Sequence, residues 1–289
     1  MNSHVAVGVD GSAEGRAAAR WAAQEAVLRR VALRLVHAVD WPLDPLVPGL
    51  GPQDVDRWAD RALADTAQEL HRRHPHLEIT TRCPRGRPAA ALAAEAADAS
   101  LLVLGSRGLG GLAGFLIGSV ALSTVVATDA PVVLVRVADD PDVVGTRTAA
   151  EVVVGVDIRE AGDRMLAFAF EEAQRRGCPL RAVHGWKMPP AYAYVPFFDP
   201  DNERDIGRSV AHMVDDMVLP WRHKFPDVET TTGVFMGSAG ERLVQGSRGA
   251  GLLVVGRHRR RSPLGVHLGP VAHAALHHAA APVAVVAHD

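Results

Sequence analysis

The chain repeats itself, and the period of that repeat constrains its fold more than any other feature. Val7-Gly8-Val9-Asp10 recurs as Val154-Gly155-Val156-Asp157, and Val36-His37 recurs as Val183-His184, each 147 residues on. Later landmarks are 151 residues apart: Gly86 and Gly237, Leu102 to Gly105 and Leu253 to Gly256, Ala130-Pro131-Val132 and Ala281-Pro282-Val283. The second copy therefore carries a short insertion between His184 and Gly237. Solenoid repeats have periods of roughly 20–50 residues. A period this long means two whole domains in tandem, which a chain of 289 residues accommodates. The polar, proline-broken stretch that opens Asp139-Asp140-Pro141-Asp142 reads as a linker. The expected division is a first domain over residues 1–138, a linker over 139–149 and a second domain over 150–289.

Within each copy, apolar runs alternate with helical patterns. In the first copy Val5 to Val9 is a short strand, and Ser12 is placed to cap a helix whose stripe is Ala18, Trp21, Ala22 and Ala26. Leu33 to Val39 is a second strand, Trp58 to Arg73 a helix, Leu77 to Arg82 a third strand and Pro88 to Ala97 an alanine-rich helix. Leu101 to Leu104 and Val132 to Val137 are unbroken apolar runs, as expected of strands buried on both faces. Strands alternating with helices predict a doubly wound, Rossmann-like α/β domain around a parallel sheet, with helices on both faces. Ligands of such sheets sit beyond the carboxyl ends of the strands, where the strand order reverses. Asp10 and Gly105 both end strands, so they should converge there.

The run Leu101 to Leu104 leads into Gly105-Ser106-Arg107-Gly108, and Gly118-Ser119 follows after nine further residues. Val120 to Ala127 then has a helical pattern. A strand, a glycine-rich loop and a helix start make a phosphate site, because glycine admits close approach to the backbone. The first N–H groups and the positive dipole end of the helix face the anion.

The spacing Gly-x2-Gly-x9-Gly-Ser is that of the ATP-binding loop of the universal stress protein family, which this sequence resembles over both copies. The resemblance implies a five-stranded sheet in each domain and ATP as the ligand. It implies that Gly105, Arg107, Gly108, Gly118 and Ser119 surround the triphosphate, with the N–H groups of Val120 and Ala121 added from the first helical turn. Leu104 lines the same loop from the end of its strand. It also puts Gly8, Val9 and Asp10 beside the adenosine and the backbone of Ala38 against adenine. The Asp10 carboxylate either accepts from a ribose hydroxyl, helps hold Mg2+ at the phosphates, or only forms a turn with Gly11. The Gly-Lys-Ser or Gly-Lys-Thr of a P-loop is absent, as is a Ser-Gly-Gly turn after the first strand. No base stands in the loop, so no catalytic residue is assigned.

The second copy departs from this pattern. Its loop reads Gly256-Arg257-His258-Arg259, then Gly269-Pro270 after nine residues, and Asp157-Ile158-Arg159 replaces Asp10-Gly11-Ser12. Proline at 270 removes both the hydroxyl and the backbone donor. The expectation is one nucleotide site per chain, in the first domain. Arg257, Arg259, Arg260 and Arg261 are either a charged substitute for the lost cradle or, preferably, a solvated cluster. His273 and His277 have the spacing of metal ligands on a helix, but without a carboxylate or an HExxH pattern no metal site is assigned. His71, His74 and His76 read as a helix end and its turn. The segment Met188 to Asp205 carries Tyr192, Tyr194, Phe197 and Phe198 and reads as a surface loop, a cover for the second ligand face or a contact for a partner.

Composition narrows the partners. A net charge of −2 gives no basic footprint for nucleic acid. Cys83 and Cys178 stand one per copy, which argues against a disulfide framework or a cysteine zinc site and fits a reducing cytoplasm. The start of the sequence has no signal-peptide pattern, and no apolar run has the length of a membrane span. With Lys187 and Lys224 as the only lysines, the arginine- and alanine-rich composition fits a GC-rich bacterial genome. The leading function is an ATP-binding stress or regulatory protein acting on an unidentified protein partner. The alternatives are a slow ATPase or nucleotidyl-transferring enzyme and a nucleotide-free interaction module. The resemblance also implies a homodimer or an intrachain pseudo-dimer. The apolar last strands, Val132 to Val137 and Val283 to Val286, need covering and are the expected contact.

Overall fold

The structure is a computed structural model that describes residues 4–39, 52–106, 117–137, 150–160, 162–188, 200–259 and 268–289. The first domain runs β1 (His4–Gly8), α1 (Ala13–Arg29), β2 (Ala32–Val36), α2 (Pro52–Arg73), β3 (Ile79–Arg82), α3 (Pro88–Ala97), β4 (Leu101–Gly105), α4 (Ser119–Ala127) and β5 (Val132–Val135). All strands pair in parallel, in the order β3-β2-β1-β4-β5. Parallel pairing demands crossovers, and the helices supply them on both faces. Helix α1 packs on β1, β4 and α2, whereas α3 packs on β1, β4 and α4.

The apolar runs are what put β1 and β4 at the centre. Val5, Ala6 and Val7 of β1 and Leu101, Leu102 and Val103 of β4 are completely buried, as strands covered on both faces must be. Helix α1 lies close on this sheet because its inner face is small: Ala18, Ala22, Ala23 and Ala26 have no exposure. Its N-terminus is capped as expected, Ser12 Oγ accepting from the Gly15 N–H at 2.9 Å.

The second domain repeats the plan with β6 (Val152–Gly155), α5 (Asp163–Arg176), β7 (Leu180–Trp186), α6 (Pro200–Lys224), β8 (Thr230–Met236), α7 (Ala239–Gly246), β9 (Leu252–His258), α8 (Pro270–His278) and β10 (Val283–His288). Its parallel order is β8-β7-β6-β9-β10. Each copy buries a carboxylate in its first helix against an arginine one turn on, Glu25 with Arg29 and Glu172 with Arg176.

Several element boundaries differ from expectation: β1 is His4–Gly8 instead of Val5 to Val9, β5 ends at Val135 instead of Val137, and Pro200 to Asp205, expected in a surface loop, open helix α6. Three others have a local reason. Strand β2 ends at Val36 instead of Val39, and beyond it only Val39 forms a single bridge, to Arg85. Pro84 stands opposite and has no N–H with which to continue a ladder. Strand β3 begins at Ile79 because the Leu77 N–H is held in a turn by the His74 carbonyl at 3.1 Å. Helix α2 starts at Pro52, six residues before Trp58, where its pattern begins in sequence, and proline suits a first helical position.

Candidate functional site

In the order β3-β2-β1-β4-β5 the chain works outward from β1 in one direction and then resumes at β4 in the other. The crevice between the carboxyl ends of β1 and β4 is therefore the switch point. Register pairs Val7 with Val103, so the following residues, Gly8-Val9-Asp10 and Leu104-Gly105-Ser106, leave the sheet side by side. Two glycines are needed for packing alone. A Cβ at Gly8 would come within 2.6 Å of the Leu104 side chain, and one at Gly105 within 2.8 Å of the Glu14 backbone in α1. Leu104 fills the space that Gly8 leaves and is itself buried.

Asp10 sits at the N-terminus of α1. Its Oδ1 accepts from the Ser12 N–H at 3.0 Å and from Ser12 Oγ at 2.5 Å. A Cβ at Gly15 would lie 2.7 Å from the same oxygen, so glycine there admits the carboxylate to the positive end of the helix. Gly11 between them has φ +79°, a conformation that favours glycine, and its carbonyl accepts from Arg16 Nη1 at 2.7 Å. The turn role of Asp10 is thus observed, and it orients the carboxylate at the mouth of the crevice.

The expected phosphate side is the start of α4. Gly118 is its N-cap, with φ −66° and ψ 145°, and its N–H donates to the Ser106 carbonyl at 2.8 Å. This bond ties the helix start to the end of β4. Ser119 and Val120 are exposed in the first turn and Ala121 is buried, and first-turn N–H groups lack intrahelical acceptors by geometry. Arg107 and Gly108 lie outside the described residues, as do Arg260 and Arg261, the linker 139–149 and the aromatics from Tyr192 to Phe198.

At the far side of β1, His37 Nδ1 donates to the Val9 carbonyl at 2.6 Å, and the Val9 N–H donates to the Val36 carbonyl. Val9 is therefore engaged on both backbone groups and contributes position only. Ala38 follows His37 just past the end of β2. Sequence reading passed over Trp58, which stands edge-on to His37 at 5.1 Å between ring centroids and lies 3.4 Å from where a Gly11 Cβ would be. It is 47 % exposed. In sequence it is marked only as a large aromatic at the start of the helical pattern of α2.

The second domain keeps the frame and changes the lining. His184 repeats the strand-end bond, to the Val156 carbonyl at 2.8 Å, and Asp157 Oδ1 accepts from the Arg159 N–H at 3.0 Å. Gly269 caps α8 as Gly118 caps α4, but Pro270 takes the first helical position, where proline is tolerated and donates nothing. Among the described residues Arg30 is the only non-glycine with positive φ, so Ile158 does not reproduce the turn at Gly11. His273 and His277 stack one turn apart at 4.2 Å between ring centroids. Among the described residues, no helix is long and apolar enough to cross a membrane.

The profile of the universal stress protein family matches residues 1–136 and again 150–287. A universal stress protein of Mycobacterium tuberculosis strain H37Rv is 33% identical over 288 residues, spanning 97% of this chain and 96% of its own. A second from the same strain is 34% identical over 296 residues, at 97% and 95% coverage. The crystal structure of a universal stress protein from Archaeoglobus fulgidus DSM 4304 superposes with a TM-score of 0.72 at 16% identity over 100% of both chains, a likeness of fold alone.

Proposed function

Because this chain belongs to the universal stress protein family in its tandem two-domain form, we propose that its first domain binds ATP and that nucleotide occupancy is its regulatory signal. The observation that carries this reading is the junction of β1, β4 and α4 at the switch point. There the Gly118–Ser106 bond fixes a helix N-terminus at the carboxyl end of β4, and β4 pairs with β1, the strand that leads into Asp10. The phosphates lie over the first turn of α4, held by the N–H groups of Ser119, Val120 and Ala121 and by the Ser119 hydroxyl, with Arg107 and Gly108 closing the loop. Mg2+ accompanies them as counter-ion, with Asp10 the carboxylate at that strand end. The ribose lies along Gly8-Val9-Asp10, and adenine reaches Ala38 with Trp58 beside it.

The function is binding without turnover. Asp10 Oδ1 is held in its turn by Ser12, and the sequence between Gly105 and Ser119 contains no carboxylate or histidine to act as a base. The second domain, with Pro270 in place of a donor, leaves ATP to the first. The chain acts in the cytoplasm on a protein partner, as a homodimer or through pairing of its own two domains.

Calorimetric titration with Mg-ATP tests this. One site per chain is expected. Two equivalent sites would overturn the assignment to the first domain, and the absence of any binding would favour an interaction module. Sustained phosphate release near the typical enzymatic rate of about one per second or faster, lost in Ser119→Ala, would make the protein an enzyme.

A further inference from the structure

The second domain gathers a different donor set at the carboxyl ends of its strands. Glu160, from the β6–α5 connection, His258 at the end of β9 and His288 at the end of β10 each offer a ligand atom, and these atoms lie within 4.8 Å of one another. The parallel register pairs His258 directly with His288, so both imidazoles stand on the same face of the sheet, 4.5 Å apart between ring centroids. Glu160 Oε2 lies 2.7 Å from His258 Nε2.

His288 is the anchor. It is 7% exposed, and its Nδ1 faces the Asp289 carbonyl at 3.2 Å. That contact leaves Nε2 as the ligand nitrogen, the arrangement by which metal-binding histidines are oriented through their other ring nitrogen. The Nε2 lies over Gly256, where a Cβ would come within 2.5 Å of it. Gly256 is the counterpart of Gly105, but its lack of a side chain here admits an imidazole. The counterparts of Glu160, His258 and His288 in the first copy are Ala13, Arg107 and Val137, so the whole donor set belongs to the second domain.

We propose that Glu160, His258 and His288 form a binding site for a divalent transition-metal ion, with Zn2+ the best match. Two imidazoles and one carboxylate are a zinc donor set that leaves a fourth position open to water or a substrate group. Zinc bonds of about 2.0–2.2 Å in a tetrahedron require donor atoms roughly 3.3–3.6 Å apart. The observed spacings, 2.7 Å at the closest and 4.8 Å at most, bracket that value. The Glu160 and His258 side chains are 44% and 42% exposed and have room to turn onto the ion. The arginines beside His258 do not oppose this. Strand alternation sends Arg257 and Arg259 to the other face, and Arg259 Nη1 lies 3.6 Å from Asp289 Oδ1. This site is independent of ATP binding in the first domain.

The test is titration of the metal-stripped full chain with Zn2+ by calorimetry, with Co2+ as a spectroscopic probe of coordination. One ion per chain is expected, with visible Co2+ bands of low-coordinate geometry. Loss of a direct ligand should cost at least the roughly tenfold in affinity that loss of a supporting group costs, so Glu160→Gln and His258→Gln should each weaken Zn2+ binding by that factor or more. Both residues are at the surface, and circular dichroism should show both variants folded. A His273→Gln, His277→Gln double variant should bind Zn2+ as the parent does. No binding at micromolar Zn2+, binding unchanged in Glu160→Gln and His258→Gln, or binding lost in the double variant would each overturn the proposal.

Discussion

The N–H of Gly118 donates to the carbonyl of Ser106 at 2.8 Å. That bond crosses the base of the loop between β4 and α4 and sets the helix start against the strand end. Gly118 has an extended backbone conformation that any residue adopts, so its φ and ψ do not by themselves require glycine.

Gly118→Val should therefore leave the protein folded and abolish ATP binding, since the branched Cβ occupies phosphate space. At Gly269 an added Cβ meets nothing within 4 Å, and Gly269→Val should leave ATP affinity unchanged. Calorimetry on the two variants checks this. The reverse result would move the nucleotide to the second domain.

Trp58 should report the ligand. Stacking of a base on an aromatic ring is worth about 1–3 kcal/mol, so Trp58→Ala should weaken ATP by roughly tenfold or more. Quenching of tryptophan fluorescence by ATP should vanish in that variant while His37 and the fold remain. Quenching that persists would place adenine elsewhere.

The two copies supply an internal comparison at a helix end. Arg30 closes α1 at φ 56° and ψ 46°, and Gly177 closes α5 at φ 60° and ψ 40°. The left-handed conformation costs a residue with a Cβ about 1–2 kcal/mol, partly offset by the entropy that glycine loses on folding. Arg30→Gly should stabilise the first domain by about 0.5–1 kcal/mol, and Gly177→Arg should destabilise the second by a similar amount. Urea denaturation measures both.

Glu172 is fully buried and paired with Arg175 and Arg176. Removing one partner of a buried ion pair leaves an uncompensated charge and costs about 3–5 kcal/mol. Glu172→Ala should lower stability by that amount, and a loss below about 1 kcal/mol would show that water reaches the arginines.

Burial first, and then the Arg34 guanidinium, lowers the pKa of His4, whose Nε2 is buried without a hydrogen-bond partner among the described residues. Burial beside Arg73 lowers that of His74. A histidine with a depressed folded pKa takes up its proton more readily when unfolded. Its contribution to stability is therefore complete above the unfolded value of about 6.5 and is lost as pH falls below it. Stability should decline below about pH 6.5, and His4→Gln should flatten that slope in denaturation curves taken between neutral and acid pH.

The duplication, the α/β alternation, the Ser12 cap and the apolar central strands were legible in the sequence because they rest on local chemistry: periodicity of two or 3.6, the hydroxyl before a helix, uninterrupted Val and Leu. The departures were also local. The Pro84 break, the turn before β3 and the proline start of α2 each follow from one residue whose partner was not yet known. The glycines of the loop were visible as a pattern, but their separate reasons were not. Gly8 and Gly105 answer to Leu104 and Glu14, atoms brought close only by sheet pairing and helix packing.

What the sequence by itself determined was which residues form strands and helices and that the plan is made twice. Tertiary structure alone decided the order β3-β2-β1-β4-β5 and so the crevice between the carboxyl ends of β1 and β4, the strands that lead to Asp10 and Gly105. It also set Trp58 on His37, and it gathered Glu160 from the β6–α5 connection with His258 and His288 from the ends of β9 and β10. The physical reason is range. Caps, turns and periodicity are properties of neighbours along the chain, whereas a site is made by strands that pair across long stretches of it, Val7 with Val103 and His258 with His288, and nothing in the local chemistry of one names its partner.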